Sequence, residues 1–305
     1  MPAFNRAYTL PRALKSIESQ DYRNFEVVVV DDGSTDDTYE VIASWSESVD
    51  FPVQYLYQMN HGKNVAHNTM LAHARGEFVV LLDSDDMLAP TALSSFEKNW
   101  EAIPAEQRDK FAGVEGLCAY LPDHKLAGKE FPQDPLDATH IEMRIKYRVK
   151  GEKRSAIRTD VLRQYPYPSF EGERHIRPSI LWDHLSEAGY MFRFFNEIVQ
   201  IMEHQADGLS ANRFKMRMAN PQGLRLCIRE EIRLHAPYLK AHARRRLCGR
   251  YARYSLHLGE GLFRQWREVG DRRQWLLGLP GGILGWLGDH VRKVRLSEKS
   301  KSKAS

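Results

Sequence analysis

Phe25-Glu26-Val27-Val28-Val29-Val30-Asp31-Asp32-Gly33-Ser34 is a nearly continuous β-branched run that stops abruptly at two carboxylates and a glycine. A run with no polar face reads as a buried parallel strand opening into a loop. A second run, Glu77-Phe78-Val79-Val80-Leu81-Leu82, ends the same way at Asp83-Ser84-Asp85-Asp86. Around them, Leu10, Leu14 and Ile17 recur at helical spacing between Leu10 and Gln20, with Thr9 as N-cap and Pro11 in the first turn. A further helix runs through Val41, Ile42 and Trp45. Val53, Tyr55 and Tyr57 alternate as a strand, and Asn64 to Ala74 suits a helix. Strands alternating with helices indicate a doubly wound α/β sheet, whose ligands bind at the carboxyl ends of the strands. The two acidic clusters are therefore expected to lie close together.

Beyond residue 110 the pattern loosens. A strand is expected at Gly113 to Tyr120, then a polar stretch at Pro122 to Asp137, then apolar segments near Arg154 to Leu162 and Tyr190 to Met202. From Phe214 onward the chain reads as mainly helical and rich in arginine, so the net charge of +4 belongs to this tail. The 305 residues suffice for a catalytic domain with an appended segment. The three cysteines, Cys118, Cys227 and Cys248, form no CxxC pair, which points to a reducing compartment and no structural zinc. The opening residues carry no basic start followed by an apolar run, so a secretory leader is not expected. Trp275 to Leu287 is too short to span a membrane and is interrupted by Pro280, Gly281 and Gly282.

Clustered carboxylates at the end of the second run suit a hard divalent cation such as Mg²⁺ or Mn²⁺. Such an ion bridges a diphosphate and offsets the charge on a leaving group. An acidic strand-to-helix turn in which Asp86 caps the next helix fits the same residues. At the first cluster, Gly33 permits a tight turn and a carboxylate can accept from a nucleobase N–H, while Ser34, Thr35 and Asp36 equally suit a helix-capping loop.

Taken together, residues 2 to about 90 resemble the inverting family 2 glycosyltransferases of the GT-A fold. Pro2-Ala3-Phe4-Asn5-Arg6 corresponds to that family's Pro-x-Tyr-Asn-Arg segment, and Val30 to Asp36 to its Val-Asp-Asp-Gly-Ser-x-Asp segment. Gly62-Lys63-Asn64-Val65-Ala66-His67-Asn68, Ala74-Arg75-Gly76-Glu77 and the Asp-x-Asp motif Asp83-Ser84-Asp85 follow in the family's order. The resemblance implies a mixed sheet of GT-A type with a helical C-terminal extension. It also implies that Pro2, Phe4 and Arg6 line a nucleotide pocket and that Asp32 reads the base. Asp83 and Asp85 would serve ribose and metal, with Asp86 a further ligand. Lys63 either faces the phosphates or is solvated.

The acceptor half of the family is recognisable in Phe170-Glu171-Gly172-Glu173-Arg174-His175-Ile176, in Leu181-Trp182-Asp183 and in Phe195-Asn196-Glu197-Ile198. Inverting transfer needs a carboxylate to take the acceptor proton. The resemblance nominates Glu173, with Asp183 in reserve, because the second acid of many relatives is replaced here by Arg177-Pro178-Ser179. Relatives also place an apolar strand directly before the proline that is Pro2 here, so that strand is expected to be missing and the start to fall inside the domain.

The expected division is a transferase domain over 1–212, with a nucleotide-sugar half to 110 and an acceptor half from 111, followed by a basic helical region over 213–305. The expected reaction moves a sugar from a UDP- or dTDP-sugar to a polysaccharide or lipid-linked acceptor. It would take place in the cytoplasm, at the inner membrane face. Tryptophans and flanking cations in the tail suit an anionic membrane surface as readily as a packed helical pair. No nucleic-acid module is recognised. Two other readings are a catalytically weak nucleotide-sugar binder and a phosphatase with Asp83 as nucleophile and Asp85 as acid, which lacks the accompanying acidic pair.

Overall fold

The computed structural model describes residues 1–203, 205 and 213–301, and side chains as far as 295; the expected boundary at 212 and the terminal 302–305 lie outside the described residues. The chain divides into two compact units, Met1–Arg213 and Phe214–Ser305.

In the first unit, β1 (Pro2–Ala3), α1 (Leu10–Glu18), β2 (Val27–Asp31), α2 (Thr38–Ser48), β3 (Val53–Tyr57) and α3 (Lys63–His73) follow the expected alternation. Next come β4 (Phe78–Val80), β5 (Met87–Leu88), α4 (Ala92–Glu101), β6 (Phe111–Tyr120), β7 (Lys125–Leu126) and β8 (Leu136–Ala138). β9 (Lys153–Arg158), the single turn α5 (Thr159–Leu162), α6 (Ser179–Glu187) and β10 (Met191–Met202) complete it. β1, β2 and β3 form a parallel three-stranded sheet. The remaining strands form a mixed sheet of order β4-β9-β6-β10-β5, with β7 beside β6 and β8 beside β10. β6 and β10 run parallel and the other pairs antiparallel, so the fold is mixed α/β.

The expected single sheet thus comes in two pieces. β1 contributes two residues. Beyond them a cavity of about 470 Å³ lies between Val27 and Val28 of β2 and Phe78, Val79 and Val80 of β4, with Met1 and Met70 in its wall. β4 is shorter than the apolar run that announces it, because residues 81–86 leave the ladder to form the acidic turn. The core packs Leu10, Leu14 and Ile17 of α1 against β2, and Phe96 and Trp100 of α4 against Phe78 and Phe195.

The second unit contains α7 (Arg213–Ala219), α8 (Pro221–His235), α9 (Ala241–His257), α10 (Leu262–Glu268) and α11 (Arg272–Lys301). Leu224, Ile228, Ile232, Tyr251, Ala252 and Trp275 form its core. α11 continues through Pro280, where the sequence signals a break. Proline removes one ladder hydrogen bond. Packing on α9 outweighs that loss: a Cβ on Gly282 would stand 2.6 Å from the Gly249 carbonyl oxygen, so only glycines allow this approach. Asp289 then closes the pair as a buried anion held by the Arg253 guanidinium and by His257 Nε2 at 2.8 Å.

Candidate active site

The loops leaving β1 and β2 are sewn to each other. Asn5 N donates to Ser34 Oγ (2.9 Å), Thr35 N to Asn5 Oδ1 (2.8 Å) and Ala7 N to Asp36 Oδ2 (3.0 Å). Pro2 is buried, Arg6 half-buried and Phe4 44% exposed, so the aromatic edge of this rim is open to a flat ligand. Asp31 accepts from Ser34 N at 2.8 Å and from the Tyr55 hydroxyl at 2.9 Å. Asp32 accepts from Gln58 Nε2 (2.7 Å), His61 N (2.9 Å) and Gly62 N (2.8 Å).

The Asp32 to Gly62 contact leads directly to the second acidic cluster, because the next residue, Lys63, reaches Asp83 Oδ1 at 2.6 Å. Arg154 of β9 lies 3.8 Å from Asp83 Oδ2 and 3.9 Å from Asp86 Oδ2. Burial opposes ionisation of Asp83, but Lys63 and Arg154 outweigh it and hold its pKa below the usual carboxylate range. Asp86, buried beside Asp83 and Asp85, is pushed up to about 7 and accepts from Gln200 Nε2 at 2.8 Å. Arg154 also donates to Gln200 Oε1. Two further residues pin the turn: Arg12 Nη2 donates to the Asp85 carbonyl (2.9 Å) and Thr9 Oγ1 to the Ser84 carbonyl (2.9 Å). Thr9 thus spends its hydroxyl across the site; it makes no side-chain cap to α1.

The carboxylate of Asp85 has no ion pair among the described residues and is half-buried. No trio of His, Cys, Asp or Glu side chains among the described residues is grouped to hold a metal by protein ligands alone. A hard cation that takes one or two carboxylates and completes its shell with phosphate oxygens and water fits this arrangement.

The loop carrying Glu173 is fastened to α3. Asn64 Oδ1 accepts from Ile176 N at 3.0 Å, and Asn68 exchanges two hydrogen bonds with the Tyr167 backbone at 2.8 and 2.9 Å. Gly62, at φ +92°, approaches so closely that a Cβ there would stand 1.9 Å from the Arg174 carbonyl oxygen. Burial lowers the pKa of His175, and the charges of Lys63 and Arg177 add to it, which puts this loop in the field of the Lys63 ammonium. Glu173 is half-buried here, whereas Asp183 is 3% exposed inside α6.

Residues 1–116 match the model of the glycosyl transferase family 2. The amino-terminal region belongs to that family. Over 133 residues it is 36% identical to the GalNAc(5)-diNAcBac-PP-undecaprenol beta-1,3-glucosyltransferase of Campylobacter jejuni, covering 43% of this chain and 40% of that one. An uncharacterised glycosyltransferase of Nostoc is 39% identical over 90 residues, 30% of this chain and 28% of that one. The chain thus spans less than half the length of these curated relatives. Among solved structures, S. aureus TarS 1-349 in complex with UDP-GlcNAc aligns with a TM-score of 0.61 at 18% identity, over 93% of this chain and 79% of that one. The Pyrobaculum calidifontis mannosyltransferase PcManGT in complex with GDP-Man and Mn²⁺ aligns at 0.55 and 21% identity, over 96% and 85%. These likenesses show the GT-A fold.

Sequence reading missed Arg154 and Gln200. Each is one of several polar residues in its strand, and only the pairing of β9 and β10 with β6 directs them to the acidic turn. Other polar residues share both strands, so nothing in the local pattern singles out these two.

Proposed function

We propose that this chain transfers a sugar from a nucleoside diphosphate sugar, UDP- or dTDP-linked, to an acceptor hydroxyl with inversion at the anomeric carbon. The observation that carries the reading is the continuous line from Asp32 through Gly62 and Lys63 to Asp83 and Arg154, which joins a base-facing loop to a cationic and acidic diphosphate site. Pro2, Phe4 and Arg6 flank the nucleoside, Asp32 is directed to its base, and Lys63 lends its charge to the diphosphate. Mg²⁺ or Mn²⁺, held by Asp85 with Asp83 and Asp86 around it, would stabilise charge on the departing phosphate.

Glu173 takes the proton of the acceptor hydroxyl as that oxygen bonds to the anomeric carbon from the face opposite the nucleotide. The bond from the anomeric carbon to the phosphate oxygen breaks, and its electron pair leaves with the nucleoside diphosphate. Half-burial on a loop fits Glu173 for this exchange better than the interior of α6 fits Asp183. The Campylobacter relative, whose name specifies an undecaprenyl diphosphate-linked acceptor, supports a lipid-linked or polysaccharide acceptor at the inner membrane face.

Calorimetric titration of UDP with and without Mn²⁺ tests the donor site. Binding that requires the metal and disappears in Asp85→Asn supports it; metal-independent binding unaffected by that substitution overturns it. Glu173→Gln, which should keep donor binding and lose transfer, separates an active enzyme from a nucleotide-sugar binder.

A further inference from the structure

α11 has two opposite faces. Trp275, Gly278, Gly282 and Asp289 turn inward, where glycine contacts and the Asp289 ion pair fix the helix to α9. On the other side Leu277, Leu284, Leu287, Val291 and Val294 are 49, 69, 48, 53 and 56% exposed, and Pro280 is exposed among them. Their alternating spacing of three and four residues sets them in one line along the helix. A continuous exposed apolar line of this length marks an interaction surface.

The charges say which kind. No charged residue stands between Gln274 and Gly288, whereas exposed Arg272 and Arg273 precede this stretch and exposed Arg292, Lys293 and Arg295 follow it. Asp289, the only carboxylate from Arg272 to Arg295, is buried against α9. The outward face therefore presents an apolar middle and cations at both ends. A second copy of the helix would match the apolar line, but parallel or antiparallel pairing would bring cations to cations with no carboxylate to offset them. An anionic bilayer offers acyl chains to the line and headgroup charge to both ends.

We propose that the outward face of α11 docks on an anionic lipid surface, with the helix lying in the plane of the interface. No helix among the described residues is long and apolar enough to cross a membrane, which suits docking in that plane. The inference rests on the second unit alone and stands whether or not the first transfers a sugar.

Co-sedimentation of the full chain with phosphatidylcholine vesicles, with and without phosphatidylglycerol, tests it. Binding should need phosphatidylglycerol and weaken as salt shortens the screening length. Neutralising Arg273 and Arg295, which fall on the side of the apolar line, together to glutamine should weaken it by about thirtyfold. L284S/L287S, at sites too exposed to unfold the helix, should weaken it by about tenfold or more. Unchanged vesicle binding by L284S/L287S would reduce the effect to diffuse charge attraction and overturn the proposal. So would a concentration-dependent dimer in vesicle-free solution that L284S/L287S abolishes, because a second copy would then be the occupant.

Discussion

Two strands of the first unit end in carboxylates, and their surroundings differ in kind. Asp31 and Asp32, after β2, are held by a serine amide, a tyrosine hydroxyl, a glutamine amide and the amides of His61 and Gly62. These donors are neutral, and most are main-chain groups. Asp83 and Asp86, after β4, face the cations Lys63 and Arg154. Backbone amides fix a loop in shape and cannot leave; a side-chain ammonium can turn to an arriving phosphate. The first acidic end is thus fixed in shape by neutral donors before any base meets it, and the second is an electrostatic site whose counter-charges are exchangeable.

The largest effect that separates them is on turnover. Asp85→Asn should lower transfer by about 100- to 1,000-fold, the range seen when one stabilising group is removed from a polar transition state. Its half-exposed carboxylate makes no ion pair among the described residues, so the urea midpoint should move little. A large fall in stability would make the second cluster fixed in shape too and erase the distinction.

Asp32→Ala should do the reverse in the urea experiment. It strands the amides of His61 and Gly62 and the side chain of Gln58, for a cost on the order of 2–4 kcal/mol. Gly62→Ala sharpens the same point, because it keeps every carboxylate but cannot hold a positive φ against the Arg174 carbonyl. A loss of roughly 1–3 kcal/mol is expected. Transfer should fall further than stability, since the Glu173 loop loses its seat on α3.

A titration reaches the electrostatic side of the comparison from behind. His67, on the buried side of α3 against Tyr167, has its pKa lowered from 6.5 to about 4 by burial, with the charges of the N-terminal amine and Lys63 adding to it. The folded state therefore binds this proton less readily than the unfolded chain. Its stabilising contribution is complete above pH 6.5 and is lost as pH falls toward 4, to a limit of about 3 kcal/mol. Asp86, with its pKa raised to about 7, contributes with the opposite sign over the same range, so the loss is read as the difference in urea midpoint between the wild type and His67→Gln, which should shrink from pH 7 to 4.

Much of this architecture was legible in advance. Valines ending in aspartates, and helical spacing at Leu10, Leu14 and Ile17, name strands and a helix because those patterns are local. The cationic half of the second site was not, because Arg154 arrives from β9, about seventy positions further along, through pairing that no local pattern encodes. Pro280 misled for the related reason that a tertiary glycine contact overrode a local rule. Asn64 and Asn68 were visible within a motif, but their task, seating the Glu173 loop, appears only when residues 167–176 fold back on α3.

The smallest expected effect concerns the strands themselves, not their ends. β2 is paired to β1 and β3, whereas β4 is paired to β9 alone among the described strands, and the 470 Å³ cavity separates them. Where the wall of such a cavity is apolar, its side chains lack contact partners. Val28→Ile adds one methylene at a buried strand position that lines this void, and β-branching is kept. A gain of about 0.5–1 kcal/mol is expected, close to the transfer value of one methylene and free of the strain that the same change brings in a filled core. Thermal unfolding of Val28→Ile beside Val29→Ile decides it, because Val29 is fully buried and does not line the cavity. Stabilisation at 28 with destabilisation at 29 shows that the gap between the two strands is real space in solution; equal losses at both show that the strands close over it.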